Sequence, residues 1–480
     1  MKQTDWKIVY TSYSEETKRA INLITKEAGR NIIRQQGEYC LYVLPCIKEG
    51  GELPKNAFFI SCYDDSSEIP KYVKREEVPE EGFLVKVVEN PNDPEGRFVI
   101  LTAHKKLELF YAAVSFLDDY IPANPPIQNV NPMPDLMFDE PLPLYSYSEV
   151  PDNKTRSIFT WGHSTNDFRL YIENMARLKF NELIIWNDYI PLNMDEIIDY
   201  AHSFGMKVIL GYSWGWKEIA KRATSITAED IEKVKEQAIR EYREDYSVQN
   251  CDGIYFQSFT ERKDNTVEQG KIAQLVTDMV NDVAEELWKI TPDLKLVFGL
   301  HATSVRNELD IIEKVNPRIE ILWEDCGDFP YNYERDIESE EAFEETIEFT
   351  KKLLKLRGGK GVGLAFKGVM MLNWGNFVYQ PAPYVMGENS ERTGAHDRAI
   401  RANGWRIYTS QWVKNGEYAA KMLKCINENK LDEIDMCMAG TFDGGIYFPL
   451  ALCAQMFRKL EDNYDEMVKK VIRRDCISFD

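Results

Sequence analysis

From residue 157 onward, short apolar runs alternate eight times with helix-spaced segments, and this alternation restricts the fold more than any other feature of the chain. The β-prone runs are Ser157 to Trp161, Glu182 to Trp186, Lys207 to Gly211, Gly253 to Phe259, Lys295 to Leu300, Ile319 to Trp323, Val369 to Asn373 and Met436 to Thr441. Between them lie Asp167 to Leu178, Met194 to Phe204, Ala228 to Asp245, Glu268 to Ile290, Val305 to Val315, Glu341 to Leu356 and Trp405 to Asn427, each with apolar residues at helical spacing; Ile446 to Leu460 follows the last run. Buried runs separated by helices are the pattern of parallel β/α units. Eight such units over about 310 residues predict an α/β fold of the (β/α)8 TIM-barrel type.

The first 121 residues read differently. Strands are expected at Lys7 to Tyr10, Tyr39 to Val43, Phe58 to Ser61, Gly82 to Val88 and Arg97 to Thr102, with helices from Glu15 to Ala28 and Lys105 to Ile121, which suggests a small α/β sandwich. Eight prolines between Pro122 and Pro151 then argue against regular structure. The expected organisation is an α/β domain over 1–121, a proline-rich linker over 122–154 and a barrel over 155–480.

A net charge of −21 repels phosphate backbones, and no Lys/Arg stripe relieves it, so no nucleic-acid partner is expected. The nine cysteines form no CxxC pair, which favours reduced thiols over a disulfide framework or a zinc site. No signal-like start and no membrane-length apolar run is present, so the expectation is a cytoplasmic protein without a membrane partner. No cofactor is expected, and a homo-oligomer is left open.

In such barrels chemistry sits where the strands end. Strand one is followed by Trp161 and His163, strand two by Asn187 and Asp188, and strand three by Trp214 and Trp216. Gln257 closes strand four, His301 follows strand five and Trp323 ends strand six, while Asn373 and Trp374 belong to seven and Asp443 to eight. Indoles stack on sugar C–H faces and Asn, Asp and His bind hydroxyls, so these twelve are the expected substrate-binding residues of a carbohydrate pocket. Strand four runs on to Glu261, and strand six to Glu324 and Asp325. Glycoside hydrolysis needs one protonated and one ionised carboxyl. Glu261, following an apolar strand, is the expected acid. Glu324 or Asp325 is the ionised partner, and because strand neighbours point to opposite sides, only one of those two should face inward.

The stretch TWGHSTNDFRLYIENMARLKFNELIIW, from Thr160 to Trp186, resembles the opening of the catalytic barrels of β-N-acetylhexosaminidases and α-glucuronidases. The segments EGFLVKVVEN and RFVILTAHKKLELFYAAVSFLDDYI resemble the small α/β domain that precedes those barrels. The likeness implies the same two-domain fold and a glycoside hydrolase, exo-acting on an oligosaccharide or glycoconjugate. In the hexosaminidases strand four ends in Asp-Glu for attack assisted by the substrate's acetamido group; this chain has Thr260-Glu261, which leans toward the α-glucuronidase pattern. A uronate would then be met by Lys367 or Arg262. A non-catalytic carbohydrate-binding protein on the same barrel is the alternative.

Other chemistries lack their residues. Strand one offers only His163 where a metal-dependent amidohydrolase would carry His-x-His. The glycine run Gly358 to Gly363 lacks a phosphate-loop pattern and precedes a strand, so it predicts a turn. Cys326 has no partner histidine by spacing and reads as a buried thiol.

Overall fold

The computed structural model describes residues 6–32, 44–121, 141–160, 167–186, 190–215, 228–259, 269–302, 304–324, 340–366, 385, 391–439 and 447–475. Two compact units divide the chain, one built from residues 1–151 with two short additions and the other from 152–202 and 206–472.

The first unit contains β1 (Trp6–Tyr10), α1 (Glu15–Ile32), β2 (Cys46–Lys48), β3 (Asn56–Ile60), β4 (Phe83–Asn90), β5 (Asp93–Ala103), α2 (Lys106–Ser115) and β6 (Tyr145–Glu149). They form a six-stranded mixed sheet in the order β2-β1-β3-β5-β4-β6. One face packs Phe59 on Phe98 edge to face at 5.1 Å, with Val9, Ala57 and Ile100 around them. β6 was not expected, because it lies within the proline-rich stretch. The run from Tyr145 to Glu149 is free of proline, and at the sheet's edge it pairs antiparallel with β4, Tyr147 opposite Val85. The expected strand at Tyr39 to Val43 lies outside the described residues.

The second unit is a closed parallel barrel of β7 (Arg156–Phe159), β8 (Glu182–Trp186), β9 (Lys207–Ser213), β10 (Gly253–Gln257), β11 (Lys295–Leu300), β12 (Ile319–Trp323), β13 (Val362–Phe366) and β14 (Ile434–Ala439). Its helices are α3 (Phe168–Arg177), α4 (Met194–His202), α5 (Ala228–Glu241), α6 (Gln269–Ile290), α7 (Leu309–Ile312), α8 (Glu340–Leu353), α9 (Glu391–Asn429), α10 (Phe448–Arg458) and α11 (Tyr464–Asp475). The TIM-barrel expectation therefore holds. The start of α3 shows how sequence sets an element: the Asp167 side chain accepts from the Leu170 N–H at 3.0 Å, and Phe168, Tyr171, Ile172 and Met175 form its buried stripe.

Seven of the eight expected strands lie where the sequence placed them. The seventh does not: it is Val362–Phe366, paired with β12 and β14 through Ile321 opposite Val362 and Leu364 opposite Met436, instead of Val369 to Asn373. The glycine run turns the chain straight into it. Gly358, Gly359 and Gly361 all have positive φ, and Arg357 at φ 52° is braced by donating to the carbonyls of Asn316 and Ile319 at 3.2 and 2.8 Å. The expected run from Val369 to Asn373, and Trp374 after it, lie outside the described residues.

Every strand contributes to one interior cluster of Phe159, Ile184, Trp186, Ile209, Tyr255, Val297, Leu322, Ala365, Cys437 and Ala439, so the barrel is filled, with no open pore. Below it, at the N-terminal ends of the strands, the floor is charged. Lys295 Nζ stands 3.0 Å from Glu182, 3.3 Å from Glu320 and against Asp435, while Ser157 donates to Glu182 at 2.8 Å. Burial alone would depress the Lys295 ammonium, but the three carboxylates hold it well above its ordinary range. Burial, reinforced by the Asp435 charge, pushes the Glu320 carboxyl far up. Asp435 is held well down despite its burial, chiefly by Lys295 and by the hydrogen bond from Glu320. Of the two, Glu320 is therefore the carboxyl that takes up a proton first as pH falls.

Candidate active site

Strand alternation decides which side chains can meet at the barrel mouth. On β12, Leu322 belongs to the interior cluster, so Glu324, two residues on, continues the inward row, and the intervening Trp323 faces the other way. On β10 the inward row runs Gly253, Tyr255, Gln257.

The two rows meet above the interior cluster. Tyr255 Oη donates to Glu324 Oε1, and Gln257 Nε2 donates to the same oxygen at 2.6 Å and to Tyr255 Oη at 2.9 Å. The second carboxyl oxygen, Oε2, accepts no hydrogen bond within the described residues, although His301 Nε2 stands 3.2 Å from it, close enough to pair but out of line for a hydrogen bond. Glu324 has no exposed surface, whereas the His301 side chain keeps 26% of its own.

Glycines make the room. A Cβ on Gly299 would overlap both Tyr255 Oη and Glu324 Oε1, and one on Gly211 would come within 2.7 Å of Trp186 and 3.2 Å of the Tyr255 ring. The ring is wedged further by Phe159 at 4.7 Å and by Trp186 edge to face at 5.4 Å. Single glycines at these two positions, on strands that otherwise turn Ile209 and Val297 inward, leave the room in which Tyr255 reaches Glu324.

Of the expected site residues, the structure brings together Gln257, His301 and Glu324. It places Trp214 and Trp323 elsewhere. Trp214 is fully buried and stacks on Phe256 at 3.6 Å, and Phe256 stacks on Phe298 at 5.0 Å, all on the outward face of the strands. Trp323 is 1% exposed on the outward face of β12. Trp161, His163, Asn187, Asp188, Trp216, Glu261, Asp325, Asn373, Trp374 and Asp443 lie outside the described residues, as do Arg262 and Lys367. Tyr255 was not singled out in the sequence, where it looks like one more apolar strand residue. The available signal was its place two residues before Gln257, with a glycine on each flanking strand at Gly211 and Gly299.

No group of three or more His, Cys, Asp or Glu suited to a metal ion occurs among the described residues. No described helix is long and apolar enough to cross a membrane. A groove of about 420 Å³ on the helical flank, lined by Glu417, Lys421, Lys424, Asp462 and Tyr464, contains none of the strand-end residues.

No protein-family model and no curated protein matches the sequence. Among solved structures, the chain is similar to a family GH115 4-O-methyl-α-glucuronidase with specificity for decorated arabinogalactans, at 12% identity and a TM-score of 0.54 over 98% of this chain; the match spans 58% of that enzyme. A glycoside hydrolase family 20 β-N-acetylglucosaminidase aligns over 98% of this chain and 93% of its own at 10% identity and a TM-score of 0.49. A GH20 exo-β-N-acetylglucosaminidase from Vibrio harveyi aligns over 98% and 73% at 11% identity and 0.47. At such identities the likeness is one of fold alone, and what this chain brings to it is a separate mixed sheet and a closed eight-stranded parallel barrel.

Proposed function

We propose that the chain is an exo-acting glycoside hydrolase using carboxylate acid/base catalysis, α-glucuronidase-like or hexosaminidase-like in its choice of sugar. The observation that carries the reading is Glu324, a carboxylate at the C-terminal end of a barrel strand, turned inward and held by donors from the strand that leads to Glu261. A buried carboxylate costs several kcal/mol of desolvation unless it is well bonded, and a barrel can be filled more simply with apolar side chains. The likeness in fold to part of an α-glucuronidase supports the substrate class.

In the proposed reaction Glu261 gives its proton to the glycosidic oxygen as the bond to the anomeric carbon breaks. The strand-six carboxylate, Glu324 or Asp325, serves the water that replaces the leaving group. The reducing-end product carries away the proton, and the sugar gains the hydroxyl. Thr260 in place of an acid before Glu261 removes one support for acetamido-assisted attack and favours a uronide.

The test is a panel of aryl uronides, aryl N-acetylhexosaminides and neutral aryl hexosides at mildly acidic and neutral pH. Aglycone release from one class is expected, slowed in Glu261→Gln and most of all for the poorer aryl leaving groups. Saturable sugar binding with no turnover of any class would replace the hydrolase by a carbohydrate-binding protein.

A further inference from the structure

We propose that the floor of the barrel is a proton-operated clamp: as pH falls Glu320 takes up a proton and hydrogen-bonds through it to Asp435, tying β12 to β14 across β13, and as pH rises the two groups become like charges that loosen this seam. The inference concerns the end of the barrel away from the strand-end residues and does not depend on the reaction performed there.

Strand register supplies the geometry. Leu322 of β12 and Asp435 of β14 both stand opposite Gly363 of β13. Glu320 lies two residues before Leu322 in the same inward row, so it must cross β13 to meet Asp435. Gly363 makes the crossing possible, because a Cβ there would fall 2.4 Å from Glu320 Oε1 and 3.3 Å from the Asp435 carbonyl oxygen. The other carboxyl oxygen, Oε2, stands 3.3 Å from Lys295 Nζ. One oxygen is given to the lysine, and the other lies over the glycine that is in register with Asp435.

Charge balance supplies the second argument. Glu182, Glu320 and Asp435 meet the Lys295 ammonium, and the further cation that interacts with Glu320 is Arg357, in the turn before β13. Ser157 on Glu182 and Thr155 on Asp435 are neutral donors, and the Cys437 thiol next along β14 is pushed far up by burial and adds no charge. With all three acids ionised, three negative charges face two positive ones in a poorly solvated place. A single proton removes the excess. Glu320 is where burial and the Asp435 charge favour it.

The proton can come and go without unfolding, since the Glu320 and Asp435 side chains keep 12% and 20% of their surface. A carboxyl whose neutral form is favoured in the folded chain makes folding take up a proton. The clamp is therefore complete around the ordinary glutamate range, weakens as pH rises from there through the raised Glu320 value, and is open above it.

Infrared spectroscopy and urea unfolding of the full chain test this, with Glu320→Gln as the clamp held shut, because its amide N–H donates to Asp435 at any pH. At about pH 6, where ordinary glutamates are ionised, the wild type should show an un-ionised carboxyl C=O band that Glu320→Gln lacks, and the band should fade as pH rises. Over the same range the unfolding equilibrium constant of the wild-type barrel unit, at fixed urea, should climb relative to that of Glu320→Gln by up to about tenfold per pH unit, as one proton requires. In Asp435→Asn the band should fade at lower pH than in the wild type, because the neighbouring charge is gone. Absence of the band at about pH 6, or wild-type and Glu320→Gln stabilities that run parallel with pH, overturns the clamp. So does a band whose fading is unmoved in Asp435→Asn, a result that can be read even if Glu320→Gln does not fold.

Discussion

At the floor of the barrel three carboxylates surround one lysine, whereas at its mouth one carboxylate sits among a tyrosine, an amide and a partly exposed histidine. The floor compensates its own charge: the Lys295 ammonium pairs with all three carboxyls, and burial with the Asp435 charge pushes the Glu320 carboxyl's pKa far up. The mouth does not: among the described residues the donors to Glu324 are the neutral Tyr255 and Gln257, with His301 beside its other oxygen. Buried charge that closes on itself belongs to stability, and buried charge left to a titratable neighbour belongs to chemistry.

Removing the floor's cation should have the largest effect on stability. Lys295→Met leaves three carboxyls facing each other around a methionine, and urea unfolding should show a loss of about 3 kcal/mol, the lower end for breaking a buried pair because the lysine is partly exposed. A loss below about 1 kcal/mol would mean that the floor is effectively solvated. Next comes Gly299→Ala at the mouth. The added methyl must displace Tyr255 Oη and Glu324, so a cost of about 1–3 kcal/mol is expected, together with a loss of turnover out of proportion to the loss of fold. Unchanged activity in that variant would detach the tyrosine network from the chemistry.

A smaller effect belongs to a latch near the floor, where His202 at the end of α4 stands 2.9 Å from Asp252, which also accepts from the Val208 N–H at 2.8 Å. The hydrogen bond to Asp252 raises the His202 pKa, so its contribution is complete below the ordinary histidine value and is lost as pH rises through the raised one. For Asp252, burial works upward, but His202 and the Val208 N–H hold its pKa down, so its contribution is present above the ordinary aspartate value and is lost as pH falls through the lowered one. His202→Gln should therefore cost about 1 kcal/mol near pH 5 and much less near pH 9. Equal losses at both pH values would remove the ionic part of the latch. The smallest change is expected for Glu320→Gln: burial and the Asp435 charge push the native carboxyl's pKa far up, towards the neutral form whose shape the amide copies, so unfolding at pH 7 should shift by no more than about 0.5–1 kcal/mol. A loss matching that of Lys295→Met would show that Glu320 is ionised after all.

The barrel was legible because periodicity and turn residues report backbone pairing directly, as at β8, β10 and β12. Strand seven was misplaced because two apolar runs, Val362–Phe366 and Val369 to Asn373, compete in one stretch, and only the pairing of β12 with β14 across it decides between them. Glu324, Gln257 and His301 could be picked out by their place at strand ends. The inward or outward turn of Trp214 and Trp323 could not, since indoles suit a wet pocket and the layer beneath helices equally well. Tyr255 and Lys295 escaped notice for a related reason: each is set by cross-barrel partners, Glu324 in one case and Glu182, Glu320 and Asp435 in the other, that are distant in sequence.

The central claim is that a proton given by Glu261 at this mouth cleaves a glycosidic bond, and the kcat of Glu261→Gln on two glycosides of the same sugar, one with a good and one with a poor leaving group, tests it most directly. The poor leaving group should lose roughly two to four decades while the good one, needing little proton assistance, loses far less. Near-normal turnover of the poor leaving group by that variant would contradict the account.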